Sequence, residues 1–281
     1  MIGIRIFENE PVNETKKLVK FAYDLNLAVE VSFYDGYNDT FINEMLEDKY
    51  YINNRNKSIH ISRDYVAANI YNEPNIVNSI TKEIEISKLF GIDKGVIHYT
   101  RGDKPLDTKT LYGDILEHNL INLHKIAINS NFTIFVENAI ILKVKNPNYD
   151  LKGHRIIWDT ILNLNLQDKL GICLDWGHVK AFTNDSLSEW LNYVEYLNNN
   201  GMKIHMHLHD NDGITDLHIP LKHAFEQNYQ KDNHINDKLP YADFVGGINK
   251  KYKDSFLILE NQSKFAKENV LWLVDRIKSL K

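Results

Sequence analysis

The chain has 281 residues, 43% of them hydrophobic and 25% charged, a balance that allows a single domain to bury a large core. Its net charge of −5, from 33 basic and 38 acidic residues, supplies no bulk cationic surface and argues against non-specific binding to nucleic acid or an anionic membrane. The N-terminal MIGIRIFENEP carries acidic residues where a secretion signal has its apolar stretch, and no run approaches the roughly twenty apolar residues that span a bilayer. The single cysteine, Cys173, has no partner for an internal disulfide and reads as a small buried hydrophobe in LGICLDW, so the expectation is a soluble, cytoplasmic protein.

Taken in chain order, the sequence predicts eight short strands. They are IGIRIF (2–7), AVEVSF (28–33), SIHIS (58–62), GVIHYT (95–100), FTIFVEN (132–138), LGICLDW (170–176), KIHMHLHD (203–210) and SFLILEN (255–261). Between them, apolar residues recur at three- and four-residue spacing, as in Ile80, Ile84, Leu89 and Phe90, or Leu116, Leu120, Leu123 and Ile126, which is the period of a helix. The NNN run at 198–200 before Gly201 predicts a helix stop.

Eight β/α units with nearly all-apolar strands, and no Pro/Gly/Ser-rich linker, predict one (β/α)₈ barrel over residues 1–281, with its parallel sheet buried on both faces. An open doubly wound sheet fits less well, because Phe7 is followed by ENEPVN rather than a glycine-rich phosphate turn. The longest interval without a strand, residues 211–254, opens with polar, turn-forming residues; with residues 139–148 it is where substrate specificity is expected to lie.

In such a barrel the working residues come from the C-terminal ends of the strands. Those ends carry metal-ligand types: His60, His98, Glu137, Asp175 with His178 just beyond, His207, Asp216 and His218 in the following loop, and Glu260. Taken singly, a strand-end histidine is ordinarily a hydrogen-bonded core residue, and Asp216-x-His218 reads as a solvated turn. Glu137 and Glu260 differ, because each ends an apolar strand where a carboxylate without a metal or cationic partner is costly to bury. Asp175 invites the same argument, and barrel geometry makes neighbours of all these positions.

The other histidines receive no metal role: His118, His124 and His154 fall in or near predicted helices, and His223 and His234 stand alone. His205 and His209 share a strand face with His207, which makes His209 a reserve candidate for substrate contact. Tyr34, Tyr65 and Tyr99 follow strand ends and read as packing.

From SIHIS through GVIHYT, FVEN, CLDWGH and HLHDNDGITDLH to LILEN, the sequence resembles the xylose-isomerase-like TIM-barrel superfamily, which includes endonuclease IV and many sugar and sugar-phosphate isomerases and epimerases. The endonuclease IV branch implies three metal ions. One would be held by His60, His98 and Glu137, a second by Glu137 as a bridge with Asp175, His207 and Glu260, and a third by His178, Asp216 and His218. That set implies a zinc- or manganese-dependent hydrolase of a phosphoester or phosphodiester.

The chain departs from that branch at HYTRG after the fourth strand, at NDGIT before Asp216, and at Leu217, where the branch has arginine. Since those are positions that hold phosphate and DNA, a small phosphorylated or sugar-containing substrate is expected in preference to DNA. The isomerase and epimerase branch implies instead one ion on Glu137, Asp175, His207 and Glu260, with Glu137 and Glu260 exchanging a substrate proton as acid and base. A sugar-phosphate-binding protein without turnover is a third expectation.

Overall fold

The computed structural model describes residues 1–33, 38–61, 76–98, 113–138, 151–182, 186–210, 217–226, 248, 251–252 and 255–279. Eight parallel strands pair in sequence order: β1 (Ile2–Phe7), β2 (Ala28–Ser32), β3 (Lys57–His60), β4 (Lys94–His98), β5 (Thr133–Glu137), β6 (Leu170–Asp175), β7 (Ile204–Leu208) and β8 (Leu257–Leu259). The barrel closes through β8 and β1, with Ile2 opposite Leu257 and Ile4 opposite Leu259. The expected (β/α)₈ architecture is therefore what the chain adopts.

Helices fill the connections: α1 (Val12–Asp24), α2 (Asp39–Glu47), α3 (Lys49–Asn53), α4 (Ile76–Leu89), α5 (Gly113–Asn129), α6 (Leu151–Asn163), α7 (Trp176–Phe182), α8 (Leu187–Asn199), α9 (Leu221–Glu226) and α10 (Ser263–Ser279). α10 packs back on β1 and α1, tying the end of the barrel to its beginning. Among the described residues no helix is long and apolar enough to cross a membrane.

Local sequence explains several boundaries. Ser186 and Glu189 form a reciprocal capping box that starts α8, satisfying two orphan backbone N–H groups. At its other end Gly201 takes φ +85°, and the Met202 and Gly201 amides return to the carbonyls of Leu197 and Asn198, so the predicted stop is a glycine-closed Schellman turn. Ile80, Ile84 and Phe90 are buried as the periodicity predicts, whereas Leu89 is 64% exposed because five residues beyond Ile84 lies off the packed face. The β3 and β8 ladders are shorter than the apolar runs that suggested them. SIHIS pairs only to His60, and SFLILEN only through Leu257–Leu259, so Glu260 projects beyond the ladder.

The two faces of these strands are built differently. Outward-facing Ile4, Val31, Ile59, Val136, Ile172 and Met206 join helix residues such as Val19, Leu120, Trp158, Trp190 and Leu273 in one continuous apolar core. The alternate residues face the barrel axis, where the apolar side chains of the described residues form two small groups, Ala28 with Phe256 and Ile258, and Val96 with Phe135 and Cys173. Other inward positions are polar and buried, among them Arg5, Glu30, Ser58, His205 and His207.

Candidate metal centre

Glu137 ends β5 fully buried, and three imidazoles converge on it. His60 Nε2 and His98 Nε2 lie 3.2 and 3.1 Å from its Oε2, and His207 Nδ1 lies 3.1 Å from Oε1. Each ring comes from a different strand, so it is closure of the barrel that gathers them. Burial raises the Glu137 pKa, but the charges on His207 and His98 outweigh it and hold the carboxyl well below the usual range.

A second carboxylate, Asp175 at the end of β6, is held by the chain around it. The Asn138 side chain accepts from the Asp175 amide at 2.6 Å and donates to its carbonyl at 2.9 Å, clasping both backbone groups. The Asp175 carboxylate in turn accepts from the His178 amide at 2.8 Å, which caps α7 and points that helix's N-terminus at the site. His178 links the two centres, with Nε2 3.6 Å from Asp175 and Nδ1 3.7 Å from Glu137. As with Glu137, burial opposes ionisation of Asp175 but nearby His178 and His209 prevail and lower its pKa.

Glu260 lies on a third side. Its carboxylate is 3.8 Å from His207 Nδ1 and 3.6 Å from His218 Nδ1, and it is ion-paired with buried Arg5. The partner that a buried carboxylate at this position requires is thus supplied in part by Arg5, which also donates to Ser32 at 3.0 Å. His218 has a left-handed backbone, φ +48°, and its Nδ1 is 3.0 Å from the Glu260 carbonyl.

Below the mouth, Glu30 faces His207 Nε2 and His205 Nε2, each at 3.0 Å, and accepts from the Ser58 hydroxyl at 2.9 Å. The two imidazole contacts are short but poorly aligned for hydrogen bonding. The Glu30 charge behind Nε2 attracts that side of the His207 ring, whose Nδ1 faces Glu137.

The residues fit a divalent cation. His60 presents Nδ1 to the Ile61 carbonyl at 3.3 Å and Nε2 to Glu137 at 3.2 Å, while burial, reinforced by Arg5, drives its pKa down to about 3 and keeps the ring neutral. A neutral imidazole carries one ring hydrogen, so one of its nitrogens meets an oxygen lone pair to lone pair. A cation shared by Nε2 and Glu137 removes that conflict. At His207, burial lowers the pKa, yet Cys173, Glu30 and Glu137 outweigh burial and raise it well above the ordinary value. A proton is favoured where a metal would otherwise bring positive charge. The groups His60–His98–Glu137, His60–His207–Glu260, Asp175–His178–His209 and His209–His218–Glu260 each bring their ligand atoms within 4.8 Å of one another.

Of the nine ligand candidates, eight surround this cavity and Asp216 lies outside the described residues, as do Tyr34, Tyr65 and Tyr99. His60, His98 and Glu137 come together as one group, Asp175 contacts both His178 and His209, and Glu137 and Glu260 both approach His207. His118 and His124 lie in α5; His118 meets Asn122, and His124 lies 2.6 Å from Asp168, both away from the mouth. Sequence reasoning gave no role to Arg5, Glu30, Ser58, Asn138 and His205. Except for Asn138, which follows the end of β5, their signal was a polar residue at an inward position of an otherwise apolar strand, legible only once the alternation is placed on a closed barrel.

No protein-family model matches the sequence, and no curated protein matches it. Among solved structures, the chain is similar to the TTHB071 protein from Thermus thermophilus, in a crystal soaked with ZnCl2, at 15% identity, TM-score 0.63, over 100% of this chain and 98% of that one. It is similar to the 3-keto-D-glucoside 4-epimerase YcjR of E. coli at 15% identity, TM-score 0.53, over 98% of each chain. A xylose isomerase-like TIM barrel protein from Mycobacterium smegmatis, in complex with magnesium, matches at 12% identity, TM-score 0.52, over 97% of this chain and 91% of that one. At these identities the likeness carries the fold, and the chain shares the barrel of the xylose isomerase-like proteins.

Proposed function

We propose that the chain is a divalent-metal-dependent hydrolase acting on a phosphoester or phosphodiester of a small sugar-containing substrate. The observation that carries this reading is the pair of buried carboxylate centres, Glu137 and Asp175, each flanked by imidazoles and joined through His178 at 3.7 and 3.6 Å. One cation cannot use so many donors, since zinc and its neighbours take four to six ligands. The mouth therefore provides for two or three ions, of zinc or manganese by the softness of imidazole-carboxylate sets.

His60, His98 and Glu137 would hold one ion, and His207 with Glu260 would share Glu137 in holding another. Bound there, such ions supply Lewis acidity toward a phosphoryl group and activate water at neutral pH. The chain's own residues do the remaining work. Asn138 fixes Asp175, Glu30 fixes the His207 ring, and Arg5 keeps Glu260 in place, so the donors are set before substrate arrives. The apolar groups beneath close the barrel floor to water.

A second reading is a single-ion sugar isomerase or epimerase, favoured by the approach of Glu137 and Glu260 to the same His207 nitrogen, at 3.1 and 3.8 Å. It asks Glu260 to exchange a proton, for which a carboxylate paired with Arg5 is poorly suited. Two assays separate the readings: elemental analysis of protein purified without chelator, and turnover of phosphodiesters, abasic-site DNA and sugar phosphates with Zn²⁺ or Mn²⁺. Two or more ions with phosphoester cleavage supports hydrolysis. One ion with ketose or aldose turnover overturns it, and stabilisation by a sugar phosphate without product would point to a binding protein.

A further inference from the structure

We infer that His209 is a metal ligand, forming with Asp175 and His178 a two-imidazole, one-carboxylate site for a first-row divalent cation of the zinc or manganese class. The inference rests on the metal-dependent reading above and changes its ligand set. The resemblance pairs His178 with Asp216 and His218, and it leaves His209 with no role.

His209 is completely buried, and its Nε2 lies 3.1 and 3.2 Å from the two oxygens of Asp175. His178 brings its own Nε2 to 3.6 Å from the same carboxylate. The other nitrogen of each ring faces a backbone carbonyl, His178 Nδ1 toward Asn138 at 2.7 Å and His209 Nδ1 toward Asp210 at 3.4 Å. All four ring nitrogens thus meet oxygen acceptors. Hydrogens on all four would set two imidazolium rings, 5.7 Å apart, against one carboxylate in a buried place. One divalent ion taken by both Nε2 atoms and Asp175 satisfies the same contacts with neutral rings, and each Nδ1–H is then held by a carbonyl as ligating histidines usually are.

The backbone makes room for this ring. A Cβ at Gly177 would lie 2.1–2.4 Å from His209 ring atoms, so only glycine there lets the imidazole reach Asp175. On its far side His209 stacks on His218, centroids 4.1 Å apart and planes 13° from parallel, and the two with Glu260 form a further group of converging donors. His209 consequently joins the Asp175 side of the mouth to the Glu260 side. Three protein ligands leave coordination positions open, as catalytic sites do, for water or a phosphoryl oxygen.

The test counts ions in the full-length protein. Chelator-stripped wild type, His209→Gln and Gly177→Ala are each reloaded with Zn²⁺, desalted, and measured by elemental analysis alongside the rise in melting temperature that Zn²⁺ produces. Both variants are expected to hold one ion fewer than wild type, with a smaller Zn²⁺-dependent rise. Wild-type stoichiometry in both variants overturns the His209 site while leaving the metal-dependent reading intact. A wild type that binds no ion sinks both. Should either variant fail to fold, Co²⁺-loaded wild type gives an independent result: hyperfine-shifted ring signals from His209 are expected, and their absence while other histidines are shifted overturns the assignment.

Discussion

The same eight strands present two faces that follow different rules. Outward, Ile172, Val136, Ile59 and their neighbours merge with the helices in one apolar cluster, where every side chain gains from leaving water. Inward, one residue along, Glu30, Glu137, Asp175, His205 and His207 are equally buried yet polar, and their contacts satisfy one another only in part. The outer face stabilises the fold. The inner face concentrates charge where burial opposes it, which is sustainable only because the outer face holds the barrel closed.

Breaking the inner face at its centre should give the largest effect. Glu137→Gln removes the carboxylate that His60, His98 and His207 share, and it is expected to abolish turnover and lower metal stoichiometry while leaving the fold intact. Because the buried imidazoles lose the carboxylate that compensates them, the metal-free variant should melt lower than the metal-free wild type at neutral pH. Activity assays, elemental analysis and thermal melts check this. Retained turnover at wild-type metal content would detach Glu137 from the chemistry.

The next largest effect is the response of the metal-free protein to acid. Burial, with Arg5, keeps His60 neutral to about pH 3, whereas an unfolded histidine takes up its proton near 6.5. Between those values the unfolded chain binds a proton that the folded chain refuses, so stability falls as the pH drops from 6.5 toward 3. Glu137 acts in the same direction, since burial is outweighed by His207 and His98 and its pKa is depressed; its contribution is complete above the unfolded value of 4.5 and is lost as pH falls through the folded one. His207 acts oppositely: raised well above 6.5, its contribution is complete below that value and is lost as pH rises through the folded pKa. Urea midpoints measured in chelator from pH 7 to pH 4 should decline, and His60→Gln should flatten the upper part of the decline. A level profile would contradict a neutral, buried His60.

On the outer face, Ile172→Ala is expected to cost about 2–5 kcal/mol, the range for truncating a fully buried isoleucine, with metal content per folded chain unchanged. Chemical denaturation and elemental analysis of the soluble fraction read the two separately. A loss of bound metal without loss of stability would erase the distinction between the faces.

Much of this division was legible in the sequence. Eight apolar runs separated by helical periodicity gave the barrel, and runs ending in His, Asp or Glu gave the mouth, because position along a strand is a one-dimensional property. What stayed hidden depends on direction across the strand and on neighbours from other strands. Glu30 in AVEVS reads equally as a solvent-facing charge, and only closure of the sheet turns it toward His207. Arg5 could not be matched to Glu260, 255 positions away, before β1 was seen beside β8. The contact of Asp175 with His209 needs the space left by Gly177, which a list of ligand-type residues does not encode.

Glu30→Gln tests how far the inner face acts on the metal at one remove. Glu30 is fully buried; it lies 3.0 Å from His207 Nε2, while Nδ1 faces Glu137. A glutamine of the same shape replaces one carboxylate oxygen with a donating NH2, so the His207 ring can settle with its hydrogen on Nδ1 and its lone pair turned away from the mouth. Replacing such an outer partner typically lowers metal affinity about 10- to 100-fold, and that range is expected here for the ion shared by Glu137 and His207. Competition with a chelator of known affinity gives the constant, and nitrogen chemical shifts of His207 report which ring nitrogen carries the hydrogen. A shifted tautomer with unchanged affinity would leave Glu30 only as a counter-charge for Arg5, on which it exerts the largest charge influence in the barrel, whereas loss of affinity with the tautomer shift ties the buried layer to the mouth above it.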